Sequence, residues 1–379
     1  MFLHDTHLPQ VLPPSAYTSQ EQLDREIERL FRPAWHLAGS FAELPKDGDF
    51  LTMTILDHPV LLWREGGEFQ AFLNVCPHRF SQLSCEPKGH CHPQLKCQYH
   101  GWEFDREGHT RLIPDARSFK PMSKGALSLQ TLRTETVGQL VFVNLNDDAP
   151  PLRDWLGEKA SGLLEELFPP NFRLVQTLDF EVEANWKCRM ENAVESYHVD
   201  MVHKQTFGVT PPAEDVIHEM EPGWSTYYVT ETAARSKIEE QMDRLMHRLA
   251  GQEQDRVYRN YFRYPHVMFS KIRLFRSMEL VLPLSPTRSR FIYKIFCYEN
   301  PNSWRSRLAR RLLSEWGKRF FPKVVAEDAN AVQWMQKGLN SPRHSSEGVV
   351  SAREERCYHF QEYVKNETMP KKPELARVV

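Results

Sequence analysis

Two short cysteine–histidine pairs limit this chain more than any other feature. The first is Cys76-x-His78, within Cys-Pro-His-Arg. The second is Cys97-x2-His100, within Cys-Gln-Tyr-His-Gly-Trp, and His78 and Cys97 are separated by 18 residues. Two soft thiolates and two imidazoles hold iron or zinc. Structural zinc usually pairs Cys with Cys and His with His. Here each pair is mixed. An iron–sulfur cluster with two thiolates on one iron and two imidazoles on the other needs that mixture, because each loop then supplies one ligand to each metal. Neutral imidazoles in place of thiolates raise the reduction potential, so such a cluster can accept an electron and pass it on.

Four of the seven cysteines lie between positions 76 and 97. An odd count argues against a disulfide framework and for metal. Cys85, His90, Cys91 and His92 lie between the two pairs and read as bystanders, the cysteines as small buried hydrophobes. The 379 residues favour two domains over one core. The net charge of -2 gives no support for a nucleic-acid or membrane-surface partner. No stretch is apolar enough to span a bilayer, and the first 20 residues lack a signal-peptide core. The expected compartment is the cytoplasm.

The pattern along the chain is α+β. Ser19–Phe31 reads as a helix capped by Ser19, within an N-terminal segment of residues 1–40. Residues 41–150 read as a small all-β domain around the cysteines, with strands at Thr52–Ile55, Val60–Trp63 and Gln139–Asn144. Pro150 and Pro151 mark the expected boundary. Residues 151–379 mix a helix over Asp154–Phe168 with a strand over Val175–Ala184 and helical propensity over Asn185–His203. Strands follow at Ser225–Thr232, Val267–Leu274, Ser277–Leu284 and Arg288–Tyr298. Lys237–Gln254 reads as a surface helix. Two last helices, Ser303–Phe321 and Val324–Leu339, are expected to part near Pro322.

A second constellation lies in Glu191-Asn-Ala-Val-Glu-Ser-Tyr-His-Val-Asp-Met-Val-His203. On one helix Glu191, Glu195 and His198 share a face. His203, five residues beyond His198, suits a helix that ends or distorts around Met201. Two imidazoles and a carboxylate can occupy one face of an octahedral Fe(II) and leave the opposite positions open. For Glu191 and Asn192 the plainer role is orienting neighbours, with Asn192 kept as a candidate catalytic residue. Met201, Val202, Phe207, Met268, Phe275 and Met278 are candidate pocket residues, each with ordinary core as the plainer reading.

Both constellations resemble Rieske non-haem iron oxygenases, specifically the alpha subunits of ring-hydroxylating oxygenases. Cys76–Arg79 and Cys97–Trp102 look like the two Rieske loops. Glu195, Tyr197, His198 and His203 look like the mononuclear-iron motif. The likeness runs from about Trp35 to Leu339. Two departures stand out: Phe80 where the family usually has Gly, and a slightly long gap between the loops. The resemblance implies an N-terminal all-β Rieske [2Fe–2S] domain followed by a helix-grip catalytic domain. It implies Cys76, His78, Cys97 and His100 as cluster ligands. His198, His203 and Asp328 become ligands of a mononuclear Fe(II); Glu327 is the one-residue alternative to Asp328 and is otherwise read as facing solvent. Glu195 would bridge a Rieske histidine of one subunit to an iron-ligating histidine of its neighbour.

The implied activity is O2-dependent hydroxylation, by mono- or dioxygenation, of an organic substrate, first an aromatic compound. The alternative is a quaternary ammonium compound of the carnitine or betaine kind, which Glu195 in place of the more usual Asp supports. Electrons would come from NAD(P)H through a ferredoxin, a flavin reductase or both. A homotrimer is implied, with or without small β subunits. A Rieske electron carrier or a zinc-binding structural protein are the non-enzyme alternatives.

Overall fold

The computed structural model describes residues 2–122, 126–207, 210–230, 237–344 and 347–368. They form two compact units, residues 32–172 and residues 1–31 with 173–379. The first unit therefore begins nine residues before the expected start at 41 and runs past Pro151. The N-terminal residues belong to the second unit.

The reason lies in buried charge. The N-terminal stretch carries a short strand, β1 (Leu8–Pro9), and helix α1 (Gln20–Glu26), which Ser19 caps by accepting from the Gln22 N–H. The helix continues as a π-helical turn over Ile27–Phe31. Glu26 is fully buried and accepts from Lys187 Nζ at 2.7 Å and Trp186 Nε1 at 2.7 Å. An unpaired Lys187 in that interior would be costly. Glu26 therefore ties the segment to the second unit.

The first unit holds β2 (His36–Ser40), β3 (Asp49–Ile55), β4 (His58–Glu65), β5 (Glu68–Leu73) and β6 (Lys88–His90). It continues with β7 (Leu95–Lys96), β8 (Glu103–Phe104), β9 (Thr110–Leu112), β10 (Thr131–Val137) and β11 (Leu140–Asn144). Seven of these form one antiparallel sheet in the order β2-β11-β10-β5-β4-β3-β6, and β7-β8-β9 form a small one. Trp63, Phe72, Trp102 and Phe104 are buried with Cys76 and Cys97 in one core cluster. The expected helix over Asp154–Phe168 is two helices, α2 (Leu152–Leu156) and α3 (Glu158–Leu167). Gly157, at φ 83°, makes the break.

The second unit is built on β12 (Phe172–Val182), β13 (Ile217–Glu221), β14 (Trp224–Thr230), β15 (Val257–Arg263), β16 (Val267–Ile272), β17 (Phe275–Ser285) and β18 (Arg288–Tyr298). They form an antiparallel sheet ordered β12-β18-β17-β16-β15-β14-β13. Positions 231 and 232 of the expected strand lie outside the described residues. The helices are α4 (Trp186–Val194), α5 (Val199–Val202), α6 (Lys237–Ala250), α7 (Trp304–Leu339) and α8 (Glu355–Thr368), and β19 (Val349–Val350) pairs with β1. A long helix against an antiparallel sheet is the helix-grip arrangement. The predicted parting of the last two helices does not occur, since α7 runs through Pro322. An interior proline costs about 3 kcal/mol. Burial of Phe321, Val325, Ala329 and Val332 on both sides of it offsets that cost.

Candidate metal centres

In the first unit the two loops bring their four ligand-type residues together. Cys76 and Cys97 are buried, whereas His78 is half-buried and His100 exposed. The imidazole centroids of His78 and His100 lie 4.7 Å apart, and His78 stacks on Trp102 at 5.0 Å. Burial, with Cys97 alongside, pushes the Cys76 thiol up to about 11. Two adjacent buried sulfurs become thiolates only beside a strong cation. The donor set therefore fits a cluster with its thiolate-held iron inside and its imidazole-held iron toward the surface.

Phe80 explains itself structurally. Its φ is 61°, in the left-handed region, and its side chain is largely exposed. The loop has kept the conformation a glycine would supply. An L-residue costs about 1–2 kcal/mol there. Phe80→Gly is expected to stabilise the first unit by about 1 kcal/mol in denaturant titration. An unchanged or lower midpoint would show that the phenyl ring contributes contacts of its own.

In the second unit α4 ends at Val194, earlier than expected. Glu195 is extended (φ -122°, ψ 174°), so Glu191, Glu195 and His198 do not share a helical face. Buried Arg356 holds the turn by donating from Nε to the Val194 carbonyl. His198 and His203 flank the single turn α5, and their rings lie 5.2 Å apart. Asp328 comes from α7. Ligand atoms of His198, His203 and Asp328 lie within 4.8 Å of one another. His203 Nε2 and His198 Nε2 are 3.0 and 3.7 Å from Asp328 Oδ1, yet no hydrogen bond satisfies that buried oxygen. An unsatisfied buried carboxylate oxygen facing two imidazole nitrogens fits a metal ion among them.

The other imidazole nitrogens are also held. Glu195 Oε1 meets His198 Nδ1, and its Oε2 accepts from the Tyr197 N–H. Glu327 was expected to face solvent. Instead its Oε2 lies 2.7 Å from His203 Nδ1 and accepts from the Thr206 hydroxyl at 2.7 Å. A carboxylate only accepts, so each Nδ1 carries the proton and each Nε2 lone pair faces Asp328.

Sequence reading missed two further residues, Arg189 and Glu279. Buried Arg189 donates to both Glu279 oxygens at 2.7 and 2.6 Å, and to Asp328 Oδ2 at 3.2 Å. Burial would raise the Asp328 carboxyl, but Arg189 and the two histidines outweigh it and hold it below the usual range. Asn192 accepts from Arg189 at 2.6 Å, so it braces the arginine.

Glu191 has no place among the metal-facing atoms. It is buried and accepts from the Tyr17 hydroxyl at 2.5 Å. Burial pushes its carboxyl up to about 7. A folded-state value above the unfolded one means stability that is full below the unfolded value and lost as pH rises through 7. Glu191→Gln is expected to abolish that loss, roughly 3 kcal/mol, and to be the more stable form at pH 8. Parallel urea curves at pH 5 and pH 8 check this; equal pH slopes for both proteins would refute it.

Of the pocket candidates, Phe207 packs edge-on against His203 at 5.3 Å. Met201 is exposed, and Phe275 packs against Trp316 and Phe321. Met278 lies on the opposite sheet face from Glu279 by strand alternation.

A β unit presenting two Cys/His loops and a helix-grip unit presenting a His/His/Asp set define an oxidoreductase with an iron–sulfur centre and a separate metal centre. The chain belongs to the ring hydroxylating alpha subunit family: the profile of its catalytic domain matches residues 170–368, and that of the Rieske [2Fe-2S] domain matches residues 34–132. The family's cofactors are the [2Fe–2S] cluster and a mononuclear iron, and its members are Rieske non-haem iron oxygenases. The chain is 33% identical over 215 residues to the large subunit of anthranilate 1,2-dioxygenase from Burkholderia cepacia, covering 52% of this chain and 50% of that one. It is 25% identical over 363 residues to the chloroplastic choline monooxygenase of Atriplex hortensis, covering 92% and 76%. Its fold superposes on a quaternary ammonium Rieske monooxygenase bound to an inhibitor, with TM-score 0.76, 22% identity and coverage of 94% and 95%. Among the described residues no helix is long and apolar enough to cross a membrane.

Proposed function

We propose that this chain is the terminal oxygenase of a multicomponent system and oxidises a small polar substrate of the quaternary ammonium class. Cys76 and Cys97 hold one iron of the cluster, and His78 and His100 the other. His198, His203 and Asp328 hold the mononuclear iron. When bound, the cluster supplies single electrons and the Fe(II) supplies the site where O2 is activated beside the substrate. The protein side chains set the geometry. Glu195 and Glu327 fix both imidazole tautomers, and Arg189 keeps Asp328 ionised and aimed. Electrons originate in NAD(P)H and arrive through a flavin reductase or ferredoxin. The proposed assembly is a homotrimer in which Glu195 also serves a neighbour's Rieske histidine. The proposed compartment is the cytoplasm.

One observation carries the substrate class. Tyr227, Asn260, Ser270 and Ser277 stand directly opposite one another across four adjacent strands. By alternation they share the sheet face of Glu279, the partner of Arg189 beside Asp328. Asn260 donates to the Tyr227 hydroxyl at 3.1 Å, and Tyr293 donates to Ser277 at 2.9 Å. Burial pushes the Tyr293 phenol up to about 12, so it remains a neutral donor. A floor of hydroxyls and amide suits a substrate with a polar end and suits a bare hydrocarbon poorly. The Phe207 ring, 40% exposed, offers π density to a trimethylammonium group. The alignment with a choline monooxygenase over nine-tenths of the chain supports the same class. The first expectation, an aromatic substrate, takes second place as an aromatic acid, favoured by the likeness to anthranilate dioxygenase.

Substrate-dependent O2 uptake with a generic reductase tests the order. Choline-, carnitine- and betaine-like amines, benzoate-like acids and fused-ring hydrocarbons form the panel, with products identified by mass spectrometry. Uptake coupled to product only with the amines is expected. Coupled uptake only with acids or hydrocarbons would reverse it.

A further inference from the structure

The two halves of α7 differ. Beyond Phe321 it presents Val325, Asp328, Ala329 and Val332 to the interior. From Trp304 to Lys323 it presents something else to solvent. Trp304, Leu308, Leu312 and Trp316 are 63%, 42%, 50% and 47% exposed and follow one another at four-residue spacing, so they form one ridge. Seven cations (Arg305, Arg307, Arg310, Arg311, Lys318, Arg319 and Lys323) share this stretch with one anion, Glu315. Glu299 neutralises Arg310, and Glu315 holds Lys318. Among the described residues Arg305 and Lys323 have no ion pair, and Arg305 lies over the Trp304 ring at 5.7 Å. Helix α6, packed against α7 through Met246, Ala250 and Ala309, leaves Ile238, Met242 and Leu245 exposed as well. Scattered exposed leucines need no explanation, but a continuous apolar ridge does. The ridge also leads to the iron site. Trp316 stacks on Phe320 at 4.4 Å, Phe320 meets Phe207 at 5.8 Å, and Phe207 meets His203.

We infer that the face made by α6 and the first half of α7 binds the surface of a lipid bilayer that carries anionic headgroups. A convex apolar ridge with a tryptophan at each end, cations beside it and no spanning length is the pattern of a helix lying in the interface plane. The charges decide the occupant. A second copy packed on the same face about a two-fold axis would oppose cation to cation, and a head-to-tail contact would need an acidic counterpart elsewhere on the chain. An acidic protein would match the charge but must also supply pockets for a ridge that has none of its own. An anionic bilayer matches both features. The whole-chain charge of -2 conceals the local excess, which is why the sum gave no sign of a membrane partner.

Co-sedimentation of the iron-loaded protein with vesicles tests the inference. One set contains phosphatidylcholine alone, the other includes about one-third phosphatidylglycerol. Binding to the anionic set is expected to be at least about tenfold tighter and to weaken with salt. Arg305→Glu with Arg311→Glu, and separately Leu308→Ser with Leu312→Ser, are each expected to weaken it at least about tenfold. Circular dichroism and turnover of a small water-soluble substrate would stay unchanged. Wild-type protein that binds neither set, or binds both equally, overturns the inference, as do variants that bind like wild type. So does a change of oligomeric state, or a raised KM for the electron donor, in variants of a protein that binds no vesicles.

Discussion

Asp328→Ala is expected to abolish coupled oxygenation, lowering turnover on the order of a thousandfold or more, while the visible spectrum of the [2Fe–2S] cluster stays unchanged. Losing an outer-shell partner alone typically costs about 10–100-fold. Removing the carboxylate itself leaves two imidazoles and one open face, a weak site for Fe(II). The oxygen at stake is Oδ1, which faces both Nε2 atoms and has no hydrogen bond. Asp328→Asn keeps the volume and separates loss of the ligand from loss of packing. Iron content per chain, steady-state O2 uptake and the cluster spectrum are the three readings. A variant that keeps its iron and its turnover would move the third ligand elsewhere.

Arg189→Met is expected to be the most destabilising single change in the second unit, by about 3–5 kcal/mol in urea titration of metal-free protein. Its guanidinium is the counter-charge for two buried carboxylates, Glu279 and Asp328. Without it Glu279 loses its buried counter-charge, and Asp328 keeps only the two histidines. The pair Arg189→Met with Glu279→Leu is expected to recover part of the loss, because an apolar pair needs no desolvated charge. If the single variant is as stable as wild type, Arg189 does not brace the two carboxylates, and Asp328 is held ionised by the histidines alone.

These effects separate what the sequence could tell from what it could not. That Cys76, His78, Cys97 and His100 come together was legible because a metal cluster would impose ligand type and spacing on short loops. That His198 and His203 come together was legible for the same reason. The helix through Glu195 was not, because its end depends on Arg356, far along the chain and buried beneath Val194. Glu327 read as a solvent-facing acid because its neighbour Asp328 already had a role. Adjacent helical residues point about 100° apart, and only the fold shows that His203 and Thr206 lie on that second side. Arg189 and Glu279 are 90 residues apart, and no local pattern couples them. Pro322 read as a break because the packing that outweighs it is tertiary. Glu26 and Lys187 concealed the true partner of the N-terminal segment in the same way. Phe80 is the reverse case: a departure from the family's glycine that left the backbone in the glycine conformation.

We propose two iron centres in one chain, held by two separate sets of side chains. Iron, zinc and acid-labile sulfide analysis of anaerobically purified protein, with and without Asp328→Ala, tests that claim most directly. About three irons and about two sulfides per chain are expected for wild type, and about two irons with unchanged sulfide for the variant. Zinc without labile sulfide, or identical iron content in the two proteins, would contradict it.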